Sequence, residues 1–299
     1  MMAAVTAASR GLEVSLIEKN RRLGRKLLLT GKGRCNITNI SEIEDFITNI
    51  PVNGRFLYSA LYSFTNIDLI RFFAGLGVET KVERGGRVFP TSDRSADVVA
   101  ALKRRLAERG VEIIKGEAVR VVSVDKAIRA VSLRDGRELS CESVVVATGG
   151  LSYPRTGSTG DGYRFAKENG HRVTDLQPAL VPLEVEEEWV REVQGLSLRN
   201  IGITLYDQEQ RKIYTDFGEM LFTHFGVSGP VALSASIHLR EMGRHRYSLV
   251  IDLKPALDEG QMDRRLQREF AKESRKIFAN SLSGLLPRKL IPLMIRLAA

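Results

Sequence analysis

Apolar and polar positions along this chain change period several times, and each change marks an element. Val144-Val-Val-Ala147 sets four small or β-branched apolar residues in a row before Thr148-Gly149-Gly150. That pattern predicts a short strand buried on both faces, opening into a turn where a backbone comes close to something. Thr156 to Gly162 stays rich in glycine and hydroxyls, and a helix is expected from about Tyr163 to Gly170, a natural C′ residue. Strand, glycine turn and helix N-terminus is the arrangement that receives anionic groups in open α/β sheets. Tight turns alone account for most glycines of this kind.

Earlier in the chain, Met1 to Ser9 is alanine-rich without a helix breaker, and Gly11 follows as a C-cap. Leu12 to Glu18 then reads as a strand ending in an acid. Helix, glycine, strand and terminal acid form the second half of a βαβ dinucleotide unit, whose acid bonds the ribose hydroxyls about 20 residues after the first fingerprint glycine. Counting back from Glu18 puts those glycines at or before position 1. The chain is therefore expected to start inside the first helix, without the first strand and the G-x-G-x-x-G loop. A plain helix and strand with a solvated Glu18 is the bland alternative.

Residues 45–77 place apolar side chains at spacings of three and four, as in Phe56 to Phe64 and Leu69 to Phe73, and predict helices. Val78 to Glu83 alternates like a strand, Gly85-Gly86 is a turn, and Arg87 to Pro90 is extended. Ser92 or Ser95 is expected to cap a helix from Asp97 to Arg109 that Gly110 closes. Val111–Ile114, Ala118–Val124, Ala127–Leu133 and Glu138–Cys141 carry β signals, with a hairpin at Asp135-Gly136. Beyond Val173 the character shifts. Leu180–Val185, Ser197–Tyr206, Ile213–Asp216, Glu219–Thr223 and Tyr247–Leu253 read as strands, Pro230 opens a helix, and the chain is helical and basic from Asp258.

Apolar content of 43% and charged content of 27% are ordinary for a folded soluble protein. No apolar run approaches the roughly 18 residues of a membrane span, and the apolar start lacks a basic region before it, so neither a membrane helix nor a signal peptide is expected. Two cysteines, Cys35 and Cys141, make no disulfide framework, which suits a cytoplasmic setting. The net charge of +9 favours anionic partners. Basic residues gather from Lys19 to Arg34, including Lys26, with no acid between them. No aromatic-studded basic strand accompanies them, so nucleic acid is not the expected partner. The glycines at 24, 31 and 33 surround basic and amide groups that donate hydrogen bonds to phosphates or a polar ring.

Here the sequence resembles a known family. Glu18-Lys-Asn20, Leu23-Gly-Arg-Lys-Leu-Leu28 and Thr30-Gly-Lys-Gly-Arg-Cys-Asn-Ile-Thr-Asn39 look like the BaiN/YhiN-like bacterial flavoproteins, also described as aminoacetone oxidase-like. The segments 85–99 (GGRVFPTSDRSADVV), 144–171 and 218–236 (GEMLFTHFGVSGPVALSAS) are similar too. The resemblance implies an α/β fold: a Rossmann-like FAD-binding domain of glutathione-reductase-like type with a β-meander over 1–180, and an inserted antiparallel, barrel-like β domain with helices over 181–299. The family's chains continue past residue 299 and return to the flavin domain. FAD is the implied cofactor, with NAD(P)H or oxygen completing the turnover and a small organic molecule as substrate. Glu18, Lys19 and Lys26 are the expected anchors, and Gly33, Arg34, Cys35 and Asn36 lie at the ring. Thr148, Gly149 and Gly150 approach the cofactor by their backbone, Val119 meets the adenine, and Asp161 lies towards the flavin. From the residues alone, Asp161 is a helix N-cap.

Among other candidate chemistry, His171, His224, His238 and His245 lack zinc spacing, and no metal is expected. Cys35 beside Arg34 is a candidate for a lowered thiol pKa, and His224 for a general base, although a packed cysteine and a structural histidine are the commoner fates. Two alternatives stay open: an RNA-associated flavoprotein of tRNA-modifying type, and an inactive flavoprotein fragment.

Overall fold

The computed structural model describes residues 1–239, 245–272 and 277–298. The chain divides into two compact units, Met1–Thr174 and Asp175–Ala299.

In the first unit the unbroken alanine-rich stretch forms helix α1 (Met2–Ser9), and Gly11, at φ +83°, returns its N–H to the Ala8 carbonyl at 3.0 Å. Strand β1 (Ser15–Glu18) follows, then helix α2 (Arg25–Leu29) and strand β2 (Thr38–Asn39). Helices α3 (Ile43–Thr48), α4 (Tyr58–Ser63) and α5 (Asn66–Gly75) occupy the stretch of three-and-four spacing. A capping box starts α5: the Thr65 hydroxyl accepts the Asp68 N–H while the Asp68 carboxylate accepts the Thr65 N–H. Strands β3 (Thr80–Glu83) and β4 (Arg87–Pro90) form the hairpin expected around Gly85-Gly86, both at positive φ, with β2 paired on the far side of β4.

Helix α6 (Ser95–Glu108) turns Val98, Ala101, Leu102 and Leu106 inward at helical spacing. Its expected serine cap is absent. Ser95 is the first helical residue, and its hydroxyl donates to the Leu28 carbonyl at 3.2 Å. Strand β5 (Glu112–Lys115) pairs with β1 in parallel, Glu18 opposite Lys115. With α1 and α6 the pair encloses Ala4, Val5, Leu23, Leu106 and Val111. This helix-linked parallel pair is the Rossmann-type core. Strands β6 (Ala118–Val124), β7 (Ala127–Leu133) and β8 (Glu138–Ser140) make the antiparallel meander. Its first turn is Asp125-Lys126, both at positive φ as a two-residue hairpin demands, though no glycine announces it. Helix α7 (Asp161–Glu168) ends at Gly170, at φ +82°.

Two further expectations fail in this unit. Val144–Ala147 is not a buried strand: its backbone joins no ladder, and Val145 stays 73% exposed. Apolar sequence sets burial only where a neighbour offers a surface, and none of the described strands pairs with it. Asp161 is not an N-cap either. Gly160 holds the cap position and Asp161 is the first helical residue, its side chain occupied elsewhere.

In the second unit β9 (Leu183–Glu184), β10 (Ser197–Tyr206), β11 (Lys212–Phe222) and β12 (Gly226–Ser228) precede helix α8 (Pro230–Ser236) and strand β13 (Ser248–Asp252). The strands form an antiparallel sheet in the order β13-β10-β11-β12-β9. The two pieces expected at 213–216 and 219–223 are one strand, because Phe217 and Gly218 between them pair with Gly202 and Ile201 of β10 and the ladder runs through the expected break. Leu198, Ile201, Ile203 and Leu205 face the core with Met220, Phe222 and Val231. Gly218 lets α8 lie against β11, since a Cβ there would stand 2.9 Å from Val231 Cγ1. Helices α9 (Glu259–Lys272), α10 (Phe278–Ser281) and α11 (Ile291–Ala298) follow; the helical expectation at 273–276 falls outside the described residues. Among the described residues no helix is long and apolar enough to cross a membrane.

Leu106 is fully enclosed. Leu106→Ala is expected to remove about 2–5 kcal/mol of unfolding free energy, lost transfer plus the cavity left behind. Denaturant titration reads this; a change below about 1 kcal/mol would show that this corner of the core relaxes.

Candidate functional site

Three side chains from the residues that follow β1, Lys19, Asn20 and, at the start of α2, Lys26, reach to the loop that precedes α7. Asn20 donates from its backbone N–H and its Nδ2 to Glu18 Oε1, both at 2.8 Å, and from Nδ2 to the Thr156 carbonyl at 3.1 Å. Lys26 donates to Ser158 Oγ at 2.7 Å and to the Ser152 carbonyl at 3.0 Å. Lys19 donates to Thr159 Oγ1 and Asp161 Oδ2, both at 2.6 Å. Burial alone would raise the Asp161 carboxyl. The hydrogen bonds from Lys19 and Thr159 and the charges of Lys19 and Arg164 outweigh it and hold the group below the usual carboxylate range. Thr156 and Ser158 are buried. The loop is thus a polar shelf fastened to the strand that ends in Glu18.

The Thr148-Gly149-Gly150 turn closes this shelf. Gly149 sits at φ +77°, and a Cβ there would stand 2.6 Å from Ser158 Oγ. A Cβ on Gly162 would meet Thr148 Oγ1 at 2.8 Å. Thr148 Oγ1 itself is buried with no hydrogen-bond partner among the described residues. A buried hydroxyl without a partner is costly and calls for one, an ordered water or a ligand atom. Five of the expected residues other than Glu18 — Lys19, Lys26, Gly149, Thr148 and Asp161 — therefore gather around one loop, with Gly150 beside the Tyr163 hydroxyl.

The second expected group is held in a different network. Loop 30–36 winds through positive φ at Gly31, Lys32, Gly33 and Cys35. Arg34 forms a fork with Glu83 at 2.7 and 3.2 Å, reaches Asp93 at 3.2 Å, and lies 4.0 Å over the Phe89 ring. Lys81 also bonds Asp93. With its amide oriented so that the nitrogen faces them, Asn36 donates to the Thr38 and Val88 carbonyls at 3.0 and 3.2 Å. These bonds tie the loop to the β3–β4 hairpin. Nothing crowds Gly33 within 4 Å of where a Cβ would sit, so its backbone is open.

Cys35 does not carry the lowered thiol pKa expected of it. It is 1% exposed among Phe73, Val98 and Leu102, and burial pushes the thiol up against a smaller opposite effect of Thr30. Val119 offers its carbonyl to Arg164 at 2.5 Å, beside α7. His224 belongs to the second unit, edge-on to Phe225 at 4.9 Å. Asn20 and Ser158 were missed by the sequence reading. The signal for Asn20 was present: an amide two residues after a strand-ending acid can donate back to its carboxylate. Among the described residues no three His, Cys, Asp or Glu side chains could hold a metal ion.

A family model described as the HI0933-like protein Rossmann domain matches residues 1–248. The chain belongs to that family. A curated relative, 3-dehydro-bile acid delta(4,6)-reductase of Clostridium scindens, is 30% identical across 100% of this chain and 72% of its own length. A ribosomal RNA dihydrouridine synthase of Haemophilus influenzae is 28% identical across 99% of this chain and 71% of its own. The family match and the bile-acid reductase bear out the BaiN/YhiN-like resemblance. Among solved structures, L-proline dehydrogenase from P. horikoshii aligns with a TM-score of 0.34 at 14% identity, over 69% of this chain and 56% of that one, too distant to support an argument.

The Arg34 network gives this HI0933-like chain an acid-sensitive joint. The Arg34 bond holds Glu83 below its ordinary value of 4.5, and the Lys81 bond holds Asp93 below 3.8. A carboxyl held low in the folded chain stabilises it above the ordinary pKa, and that stabilisation is lost as pH falls through the lower, folded value. The melting temperature is expected to fall below about pH 4.5, and Arg34→Met to make that fall shallower. Equal acid sensitivity in variant and wild type would contradict this role.

Proposed function

We propose that this protein is an FAD-dependent oxidoreductase whose dinucleotide lies along the loop 148–162. The observation that carries the proposal is the shelf itself: an acid at the end of a Rossmann-type strand, tied through Asn20 to a glycine- and hydroxyl-rich turn holding an unpartnered buried Thr148 hydroxyl. The residues present fit such a group. Glu18 would accept from ribose hydroxyls, since its Oε2 accepts no hydrogen bond among the described residues. Lys26 would set its ammonium against a phosphate, and the Thr148 hydroxyl would donate to a cofactor oxygen. Gly149 and Gly150 would let the backbone approach where a side chain would collide. The flavin supplies hydride transfer to or from a small organic substrate, with oxygen or NAD(P)H completing the cycle. The chain's own part is to bind, orient and shield.

The protein expressed from its complete gene is expected to purify yellow, with about one FAD per chain released on denaturation. A colourless protein that takes up no added FAD would sink the proposal. Glu18→Ala is expected to weaken FAD roughly tenfold or more, the worth of a hydrogen bond to a charged group. An unchanged affinity would remove Glu18 from the site.

A second proposal concerns RNA as substrate. The whole net charge of +9 lies in residues 1–174, while residues 175–299 carry as many acidic as basic side chains. Relatives named ribosomal RNA dihydrouridine synthase point the same way. Ribosomal RNA fragments are then expected to bind with an affinity that drops steeply between low and physiological salt. Absent or salt-insensitive binding removes this proposal and leaves the first intact.

A further inference from the structure

Asn20 uses every polar atom it has at one corner of the shelf. Its two amide hydrogens go to Glu18 Oε1 and the Thr156 carbonyl, and its amide oxygen accepts from Arg25 at 3.1 Å. Its backbone N–H adds a second bond to Glu18 Oε1, and its carbonyl accepts from Lys115 at 2.7 Å. Two consequences follow from this geometry. Glu18 is gripped by one oxygen only, which fixes the rotamer of the carboxylate and leaves the other oxygen for a ligand. The same amide sets the distance between the acid and the loop. Residue 157 must be glycine for this contact: it sits at φ +100°, and a Cβ there would stand 2.5 Å from Asn20 Nδ2.

We infer that Asn20 is a positioning residue for the ribose of the bound dinucleotide, acting through Glu18 and through its tether to the 156–160 loop. The inference rests on the cofactor proposal above. Lys115, reaching across from β5, and Arg25, at the start of α2, hold Asn20 in turn, so the grip on Glu18 is braced from two elements. A side chain held from both ends loses little freedom when it orients a partner, and that is the condition for a precise second layer behind a binding group.

The test is titration calorimetry of the protein from its complete gene with ADP and with 2′-deoxy-ADP. Wild type is expected to bind ADP roughly tenfold more tightly than 2′-deoxy-ADP, the worth of one hydrogen bond to a charged acceptor. Asn20→Ala is expected to bring the two ligands within about twofold, and the Asn20→Ala, Glu18→Gln double variant to be no worse than Glu18→Gln alone, because Asn20 works through Glu18. A merely structural role would lower the melting temperature and leave the ribose preference untouched. Should Asn20→Ala lose its melting transition, Asn20→Ser keeps a donor at this corner and is expected to give an intermediate preference. Full wild-type preference in either folded variant, or losses that simply add to those of Glu18→Gln, would overturn the inference. Wild type binding neither ligand would instead overturn the cofactor proposal, and this inference with it.

Discussion

The loop 148–162 is held by hydrogen bonds rather than by packing. Val145, Val146, Leu151 and Tyr153 around it are exposed, so apolar burial does little to place it. Three polar ties place it instead: Asn20 to Thr156, Lys26 to Ser158, and Lys19 to Thr159 and Asp161. All three start within the eight residues from Lys19 to Lys26, just past the end of β1. The cofactor proposal depends on that joint, because it brings the strand-ending acid and the glycine turn into one site. Charged and amide donors fixed on half-buried acceptors strengthen one another in such a setting, and the loss of any one exposes the others to misalignment.

Much of the scaffold was legible in the residues because its signals are local. Gly11, Gly110 and Gly170 end helices at positive φ, Gly85-Gly86 turns a hairpin, and Pro230 opens α8 at the expected position. The strand over 197–206 shows its alternation openly. What failed depended on distant partners. Val144–Ala147 has the composition of a buried strand, but composition does not say whether a neighbour is there to cover it. Ser95 and Asp161 carry capping chemistry, yet Ser95 Oγ finds the Leu28 carbonyl and Asp161 finds Lys19, both remote in sequence.

The candidate site divides along the same line. The resemblance gave Glu18 and Lys26 as anchors, Thr148 as part of the backbone approach, and Arg34 and Asn36 at the ring, and the fold holds these sets in separate networks. Glu18, Lys26 and Thr148 belong to the shelf. Arg34 and Asn36 are engaged with the β3–β4 hairpin, where Arg34 is bound by two carboxylates and an aromatic face at once. A bidentate partner of that kind fixes a guanidinium firmly, so Arg34 supports the loop, and the open backbone at Gly33 is the part of it left facing outward. Cys35, buried with its thiol pushed up, anchors the loop to α5 and α6 as a small apolar residue.

The central claim is that a dinucleotide lies on the shelf fastened to the end of β1. Amide hydrogen exchange of the protein with and without FAD tests it most directly, since protection reports which backbone the ligand orders. FAD is expected to slow exchange in residues 148–162 and 18–26 together, with the meander and the β3–β4 hairpin changing little. Protection confined to other segments, or no change at saturating FAD, would contradict the claim.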